Sequence, residues 1–374
     1  MTADSLASIS VAGRVDRLRA VLAERGAPPR MIISAPSNRR WLTGFTGSAG
    51  RVIVTPDRLV LVTDGRYGHQ AERQGDAAGA DGLEVLVGQT LVEQRSKVMS
   101  VISSGEVGAE SAAMTRADWV WFEPELSLVA VDGSVEGLRR AKDPAERDLI
   151  ASAADIASSA LADVASMLVP GVSEREIRDE LEYRMRRLGA DGPSYETIVA
   201  SGPNNAALPH ARPTRRQFEE GDLVVIDVGA LVDGYHSDMT RTYVVGEPTV
   251  EQLRWFECVR RAQQAGLDAV RPGIRVCDVD AAVRAAIDDV GLGDLFTHGT
   301  GHGVGLDIHE DPFLGRASRT ELEVGDVVTI EPGLYRVGVG GLRIEDLVEV
   351  TPDGHRNFTA LPKDDLCPPS PRTI

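Results

Sequence analysis

The sequence predicts an α/β (α+β) protein of two domains, a small α/β domain over residues 1–140 and a larger pseudo-twofold domain over residues 141–374. Three observations carry this expectation. The first 140 residues alternate helix-period with strand-period apolar patterns. Asp143-Pro144-Ala145-Glu146 then opens a new long helix, with an N-cap, a proline at the first helical position and a capping-box glutamate. Beyond it, one pattern of helix, break, helix and strand occurs twice, which an internal duplication explains.

In the first domain, Arg14 to Arg25 reads as an amphipathic helix, and Met31–Ala35, Arg51–Thr55 and Leu59–Thr63 read as strands. The segments 43–50 and 64–67 are polar and turn-like; no helix with a Lys-Ser/Thr start follows them, so their glycines serve turns rather than a phosphate. The helix from Asp143 should run to Leu168 and stop at Pro170-Gly171, after which Ser173-Glu174-Arg175-Glu176 caps a second helix ending near Gly189. Pro170-Gly171-Val172 then matches Pro272-Gly273-Ile274, and Gly221-Asp222-Leu223-Val224-Val225-Ile226-Asp227 matches Gly325-Asp326-Val327-Val328-Thr329-Ile330-Glu331. An acid ends each of the two matched strands.

Composition narrows the function. The chain of 374 residues has a formal net charge of -17, which repels nucleic-acid phosphates and anionic lipid, so neither nucleic acid nor membrane is an expected partner. Part of that acidity suits a carboxylate-rich site neutralised by divalent metal. Cys258, Cys277 and Cys367 are odd in number and widely spaced, indicating neither a disulfide framework nor a thiolate zinc site. With no apolar core run between Met1 and Val11 and no uninterrupted membrane-length apolar run later, a cytoplasmic location is expected.

The chemistry gathers around the matched acids. Asp227 and Asp238 flank a turn at Asp233-Gly234, so a hairpin brings the two strands together, and both carboxylates face one cavity if their side chains share a face of the sheet. Glu331 and Glu345 occupy the second half, and His302 lies between the halves in the glycine-rich stretch Gly299 to Gly305, where glycine permits close backbone approach. Four carboxylates and one imidazole suit Mn(II), Co(II), Zn(II) or Fe(II), with manganese or cobalt the first expectation. Carboxylates can bridge two divalent ions about 3.5–4 Å apart, and water between such ions is acidified into a nucleophile, which is hydrolytic chemistry. His210, His298 and His309 are candidates for oxyanion stabilisation and proton transfer, and Arg343, on the same strand face as Glu345, for steadying a ligand carboxylate. His236 reads as a solvent-side hairpin residue.

Five motifs, Ile226-Asp227-Val228-Gly229, Ser237-Asp238-Met239-Thr240-Arg241, Gly301-His302-Gly303-Val304-Gly305, Ile330-Glu331-Pro332-Gly333 and Arg343-Ile344-Glu345-Asp346, resemble those of the Xaa-Pro peptidases, aminopeptidase P and prolidase, in the pita-bread superfamily. Trp41-Leu42-Thr43-Gly44-Phe45 and Asp64-Gly65-Arg66-Tyr67 resemble the family's N-terminal domain, so the likeness covers nearly the whole chain. It implies a creatinase-like N-terminal domain and a pita-bread catalytic domain with two divalent ions, Mn(II) or Co(II) with Zn(II) as a further choice. Asp227 and Asp238 would hold one ion, His302 would complete the other, and Glu331 and Glu345 would bridge. It implies substrate-binding and proton-handling roles for His210, His298, His309 and Arg343, a proline-containing peptide as substrate, and a homodimer. Two alternatives share the fold: a methionine aminopeptidase, which typically lacks an N-terminal domain of this size, and an inactive binding or scaffold protein, which would be expected to have lost ligands.

Overall fold

In the computed structural model, which describes residues 9–368, the apolar runs of the first unit become strands of one mixed sheet. Its strands are β1 (Met31–Ile33), β2 (Arg51–Val54), β3 (Leu59–Thr63), β4 (Leu83–Val87), β5 (Gly105–Ala109) and β6 (Leu126–Ala130), in the order β4-β3-β2-β1-β5-β6. β1, β2 and β3 pair antiparallel, while β4, β5 and β6 join in parallel. Helices α1 (Arg14–Glu24), α2 (Pro36–Thr43), α3 (Gly68–Ala78), α4 (Leu91–Ile102), α5 (Arg116–Phe122) and α6 (Ser134–Arg140) accompany it. Every residue of β3 is buried, as befits a strand covered on both faces. Ile32, Ile53, Val60, Val98, Val107 and Phe122 share one core. This unit ends at Arg139, and the second begins at Arg140. Most of the segment Met1–Val11, used above against a secretion signal, lies outside the described residues.

The second unit opens with α7 (Pro144–Val164), whose Asp143 and Glu146 form the capping box read from the sequence. It ends in a 3₁₀ turn at Ala165–Met167, slightly short of Leu168. This helix is long and apolar enough to cross a membrane, but Leu149, Ile150, Ala153, Ala157, Ala160, Leu161 and Val164 form a buried stripe at helical spacing, the pattern of a core helix. α8 (Glu174–Arg187) has its own capping box at Ser173 and Glu176. β7 (Gly192–Pro193), β8 (Ile198–Ser201), the short α9 (Gly202–Asn205), β9 (Leu223–Asp227), β10 (Ala230–Val232), β11 (Tyr235–His236) and β12 (Thr240–Val244) complete the first repeat. α10 (Val250–Ala269) and α11 (Val276–Asp288) open the second. β13 (Gly301–Gly303), β14 (Glu310–Leu314), β15 (Val327–Ile330), β16 (Gly333–Arg336), β17 (Gly340–Arg343), β18 (Asp346–Thr351) and β19 (Gly354–Asn357) follow.

The duplication extends to single hydrogen bonds. Gly171 N–H donates to Phe218 O at 3.0 Å, and its counterpart Gly273 N–H donates to Leu322 O at 2.8 Å. Asp222 accepts from Glu219 N–H and pairs with Arg216, while Asp326 accepts from Glu323 N–H and pairs with Arg140. Two three-strand cores result, β8-β9-β12 and β13-β15-β18, the second extended by β14 and β19.

The expected hairpin exists but bends. β9 pairs with β12, β10 pairs with β11, and these pairs belong to different sheets joined through the mutual backbone bonds of Val228 and Met239. Its tip, Asp233-Gly234, has φ of 43° and 70°, as a tight two-residue turn of this hand requires.

Glu174, at the start of α8, is fully buried and its carboxylate accepts from Ser201 N–H and hydroxyl, Asn205 Nδ2, and Thr214 N–H and hydroxyl. It thereby fixes both ends of the segment that carries His210. Removing it strands several buried donors. Glu174→Ala is expected to lower the unfolding free energy by about 3 kcal/mol and to open the 202–214 segment to protease; urea unfolding and limited proteolysis check both.

Candidate metal centre

The strand ladders set where each acid lies. Asp227, the last residue of β9, sits opposite Thr240 of β12, and Asp238 lies two residues before Thr240, so all three share one face. His302 is the middle residue of β13, held between β14 and β15. Glu331 directly follows β15, its N–H donating to Thr300 O at 2.8 Å. Glu345 joins β17 to β18, and its N–H donates to Thr240 O at 3.1 Å, linking the two repeats. The glycines beside His302 serve the sheet: a Cβ on Gly301 would lie 1.9 Å from Thr329 O and one on Gly303 2.4 Å from Asp311 O. They allow close strand approach rather than close approach to a ligand.

These side chains converge. One ligand atom from each of Asp238, His302 and Glu345 lies within 4.8 Å of the others. His302 Nε2 is 3.5 Å from Asp238 Oδ2 and 3.6 Å from Glu331 Oε1. Its Nδ1 lies 3.0 Å from Gly303 O. A carbonyl can only accept, so Nδ1 carries the proton and the Nε2 lone pair faces the carboxylates. Two acceptors facing a third call for a cation between them.

Charge gives the same answer. Burial, then repulsion from Glu345 and Asp227, pushes Asp238 well above the usual carboxylate range; burial, then Glu331 and Asp227, does the same to Glu345. Burial, opposed in part by the Arg343 cation and reinforced by the Asp227 charge, raises Glu331 to about 7. The Tyr195 hydroxyl donates to both Asp227 and Asp238, and Thr240 Oγ1 donates to Glu345 Oε2 at 2.6 Å. Neutral donors orient these acids without cancelling their charge. A hard, oxygen-rich donor set with one imidazole lone pair and surplus negative charge fits divalent metal.

A cavity of about 880 Å³ contains this cluster and is also lined by Tyr195, His210, His298, His309 and Arg343. His210 and His309 are exposed in it, and the His309 ring lies 4.3 Å from that of His302. His298 is half-buried, with Nδ1 2.8 Å from Gly299 O and Nε2 3.2 Å from the Tyr335 hydroxyl. Burial first, then Arg343, lowers its pKa to about 4. Arg343 shares the face of Glu345, since Thr240 Oγ1 contacts both, but its guanidinium is already engaged. It donates to Asp227 Oδ2 at 2.5 Å, to Tyr335 Oη and Pro209 O at 2.9 Å each, and through Nε to Thr240 Oγ1. Arg343 is therefore a clamp on Asp227. His236 is partly buried rather than solvent-facing, because its Nδ1 meets Ser194 Oγ at 2.8 Å.

Tyr195, Tyr335 and Thr240 were not singled out by the sequence. Thr240 was findable, since strand alternation places it with Asp238. Tyr195 and Tyr335 reach the acids only through the tertiary fold, and no local spacing marks them.

The raised acids give the metal-free protein a distinctive pH dependence. Glu331 keeps its proton to about 7 when folded and only to about 4.5 when unfolded. The metal-free folded state thus binds more protons between these values and loses stability as pH rises through them. Bound metal displaces the protons and removes that loss. Melting temperatures from pH 4.5 to 8, with chelator and with Mn(II), are expected to diverge as pH rises, and Mn(II) addition at pH 6 should release protons. Parallel curves without proton release would contradict the assignment of these acids as ligands.

Known proteins supply the context for this geometry. Residues 148–352 match metallopeptidase family M24, and residues 14–140 match the creatinase/prolidase N-terminal domain. The chain is 38% identical over 355 residues to the uncharacterized peptidase YqhT of Bacillus subtilis (strain 168), covering 94% of this chain and 99% of that one. It is 42% identical over 229 residues to the Xaa-Pro dipeptidase of Pyrococcus furiosus, covering 61% and 66%. Among solved structures, an Xaa-Pro dipeptidase from Bacillus anthracis superposes with a TM-score of 0.90 at 36% identity, covering 96% and 99% of the two chains. An X-Pro aminopeptidase from Thermotoga maritima MSB8 does so with 0.84 at 31%, covering 94% and 98%. With this pita-bread architecture, its N-terminal domain and a buried acid-histidine centre, the chain belongs to metallopeptidase family M24.

Proposed function

We propose that the protein hydrolyses the bond between an N-terminal residue and a following proline, using two divalent ions, Mn(II) or Co(II) by preference, as a cytoplasmic homodimer. The observation that carries the reading is the convergence of Asp238, Glu331 and Glu345 on the bare Nε2 of His302, with Asp227 joined to Asp238 through the Tyr195 hydroxyl. A scaffold descended from such an enzyme has no need to keep five ligands, four of them buried, at the cost of repulsion among the acids. The match of residues 14–140 to the creatinase/prolidase N-terminal domain disfavours a methionine aminopeptidase.

Asp227, Asp238, His302, Glu331 and Glu345 are the side chains that would hold the ions; Asp238 lies beside His302 and shares the Tyr195 hydroxyl with Asp227, which keeps the two aspartates together. Bound there, divalent ions supply Lewis-acid polarisation of the scissile carbonyl and acidification of water at neutral pH.

The remaining side chains do the positioning and proton work. His298, neutral at pH 7, bonds Gly299 O through Nδ1–H and accepts the Tyr335 hydroxyl at Nε2, so it holds the chain Tyr335, Arg343 and Asp227 in place. Its ring has no spare proton to give. His309 has an exposed ring whose pKa is lowered by burial and then by His302, which leaves it neutral and able to pass a proton. An Xaa-Pro amide has no N–H, so the departing proline nitrogen must gain its proton from outside the peptide. His309, with His210 at the rim, is the route we assign.

The test is hydrolysis of Gly-Pro, Ala-Pro and Arg-Pro-Pro by chelator-stripped protein reloaded separately with Mn(II), Co(II) and Zn(II). Cleavage of Arg-Pro-Pro after its first residue would establish an aminopeptidase, and cleavage of the dipeptides alone a dipeptidase. No activity with any metal, together with unchanged metal content in Asp238→Ala, would sink the reading in favour of a scaffold. His309→Gln is expected to lower kcat about a hundredfold at unchanged metal content, measured by elemental analysis beside the assay; a loss of metal instead would make His309 part of the centre.

A further inference from the structure

His309 stands outside any strand, in the loop that joins β13 to β14. A group that hands over a proton must come within hydrogen-bond reach of its target, and a misplacement of about 1 Å can cost about a hundredfold in rate. The backbone of this loop is bonded mainly near its start: Gly305 O accepts from His236 N–H at 3.0 Å, and Gly305 N–H donates to Asp307 O at 3.1 Å. Something else has to hold the His309 ring at 4.3 Å from that of His302.

The side chain that fills the loop is Glu310. A Cβ on Gly305 would lie 2.5 Å from Glu310 Oε1, so the carboxylate folds back against the Gly305 backbone, and Asp307 N–H meets Oε2 at 3.5 Å. Oε1 also meets Lys142 Nζ at 2.6 Å, with the two side chains only 9% and 1% exposed. The backbone of Glu310 pairs with Gly303, the residue after His302. Lys142 comes from a distant part of the chain whose backbone is fixed on both sides. Its N–H donates to Gly325 O at 2.9 Å, Asp143 beside it caps α7, and Arg140 two residues earlier donates to Asp326 Oδ2 at 2.7 Å. Removing either partner of so buried a pair leaves an uncompensated charge. A Glu310 carboxylate without Lys142 is drawn toward water, and His309, its neighbour in the chain, moves with it.

We propose that Lys142 and Glu310 are positioning residues for the reaction, acting through His309 by pinning its loop to the frame at the start of α7; this rests on the Xaa-Pro peptidase reading above. Neither belongs to the metal-ligand set, and neither lines the cavity as it is described. Their effect on turnover therefore passes through the residue they place, without contact to substrate or ion.

The experiment is a double-mutant cycle on Mn(II)-loaded protein, with K142M and E310Q each made alone and together with H309Q. Each single variant is expected to lower kcat about tenfold while KM and bound metal stay within about twofold of wild type. In the H309Q background either change should cost less than about twofold more, because nothing is left for the pair to position. K142R keeps the charge on a differently shaped head and should recover part of the loss. Where K142M and E310Q do not fold, K142R carries the cycle, and its smaller loss must vanish in K142R/H309Q. Losses that multiply in the double variants, or a fall in metal content that accounts for the lost activity, would overturn the assignment. A second measurement needs no turnover: NMR of carbon-13-histidine-labelled, metal-free protein, with H309Q identifying the His309 signal. That signal should move toward the position of a free histidine in K142M, E310Q and, less far, K142R, while the His298 signal stays. An unmoved His309 signal sinks the positioning role. A signal that moves in a protein that cleaves no Xaa-Pro peptide keeps the placement of His309 by this pair and sinks only the peptidase reading.

Discussion

Four carboxylates in one cavity repel one another, and much of the polar structure of the second unit answers that repulsion. Tyr195 donates to Asp227 and Asp238, Thr240 to Glu345, and Thr329 to Glu331 at 3.4 Å. Each of these donors is neutral. They fix orientation but leave the charge in place, which is why protons are held by Asp238, Glu331 and Glu345 well above their ordinary range. Among the described residues Arg343 is the permanent cation bonded to a ligand, and a guanidinium cannot shed its proton to adapt. Only added positive charge completes the balance, and the geometry concentrates that demand at the Nε2 of His302.

Orientation at this level needs a stiff frame, and the duplication provides it. Each acid ends a strand or lies within two residues of one, so its backbone is fixed by a ladder while its side chain projects beyond the ladder's end. The amide of Glu345 donates to Thr240 O, and Arg241 Nη1 donates to Glu345 O at 2.7 Å, so the second repeat is hydrogen-bonded to the first at the ligands themselves. A shift of one repeat against the other would have to break these bonds, which couples metal geometry to the packing of the whole unit.

What the sequence made legible follows from this arrangement. Asp227 and Glu331 could be found because each stands at the end of an apolar run, and the second run copies the first; a residue whose place is set by its own strand is visible in one dimension. The capping boxes at Asp143 and Ser173 were legible for the same reason, since a helix start is decided within four residues. The bend in the hairpin was not, because it depends on Ala230 pairing with Pro193 of a distant strand. Arg343 shows the boundary clearly. Alternation located it beside Glu345, but only the fold reveals that Asp227, 116 residues away, uses up its charge. Tyr195 lies beyond what local pattern can reach, its hydroxyl acquiring meaning only from the two acids it meets.

The ligands and the groups facing substrate are held in different ways, and the difference bears on what can change without losing the metal. The stretch from His302 to Glu310 is fixed at one end by β13 and at the other by a buried ion pair of Glu310 with Lys142 at 2.6 Å. Lys142 is in turn anchored by its own N–H to Gly325 O at 2.9 Å. A buried pair of this kind contributes little net stability, because desolvating both ions offsets their attraction, but its geometry is specific. Here it sets the position of His309, the residue immediately before Glu310, against His302. Within β14, Leu314 is buried against β13 while Phe313 is half exposed. The two ends are thus held by different means, one by a strand ladder that carries a metal ligand and the other by an ion pair that no ligand shares.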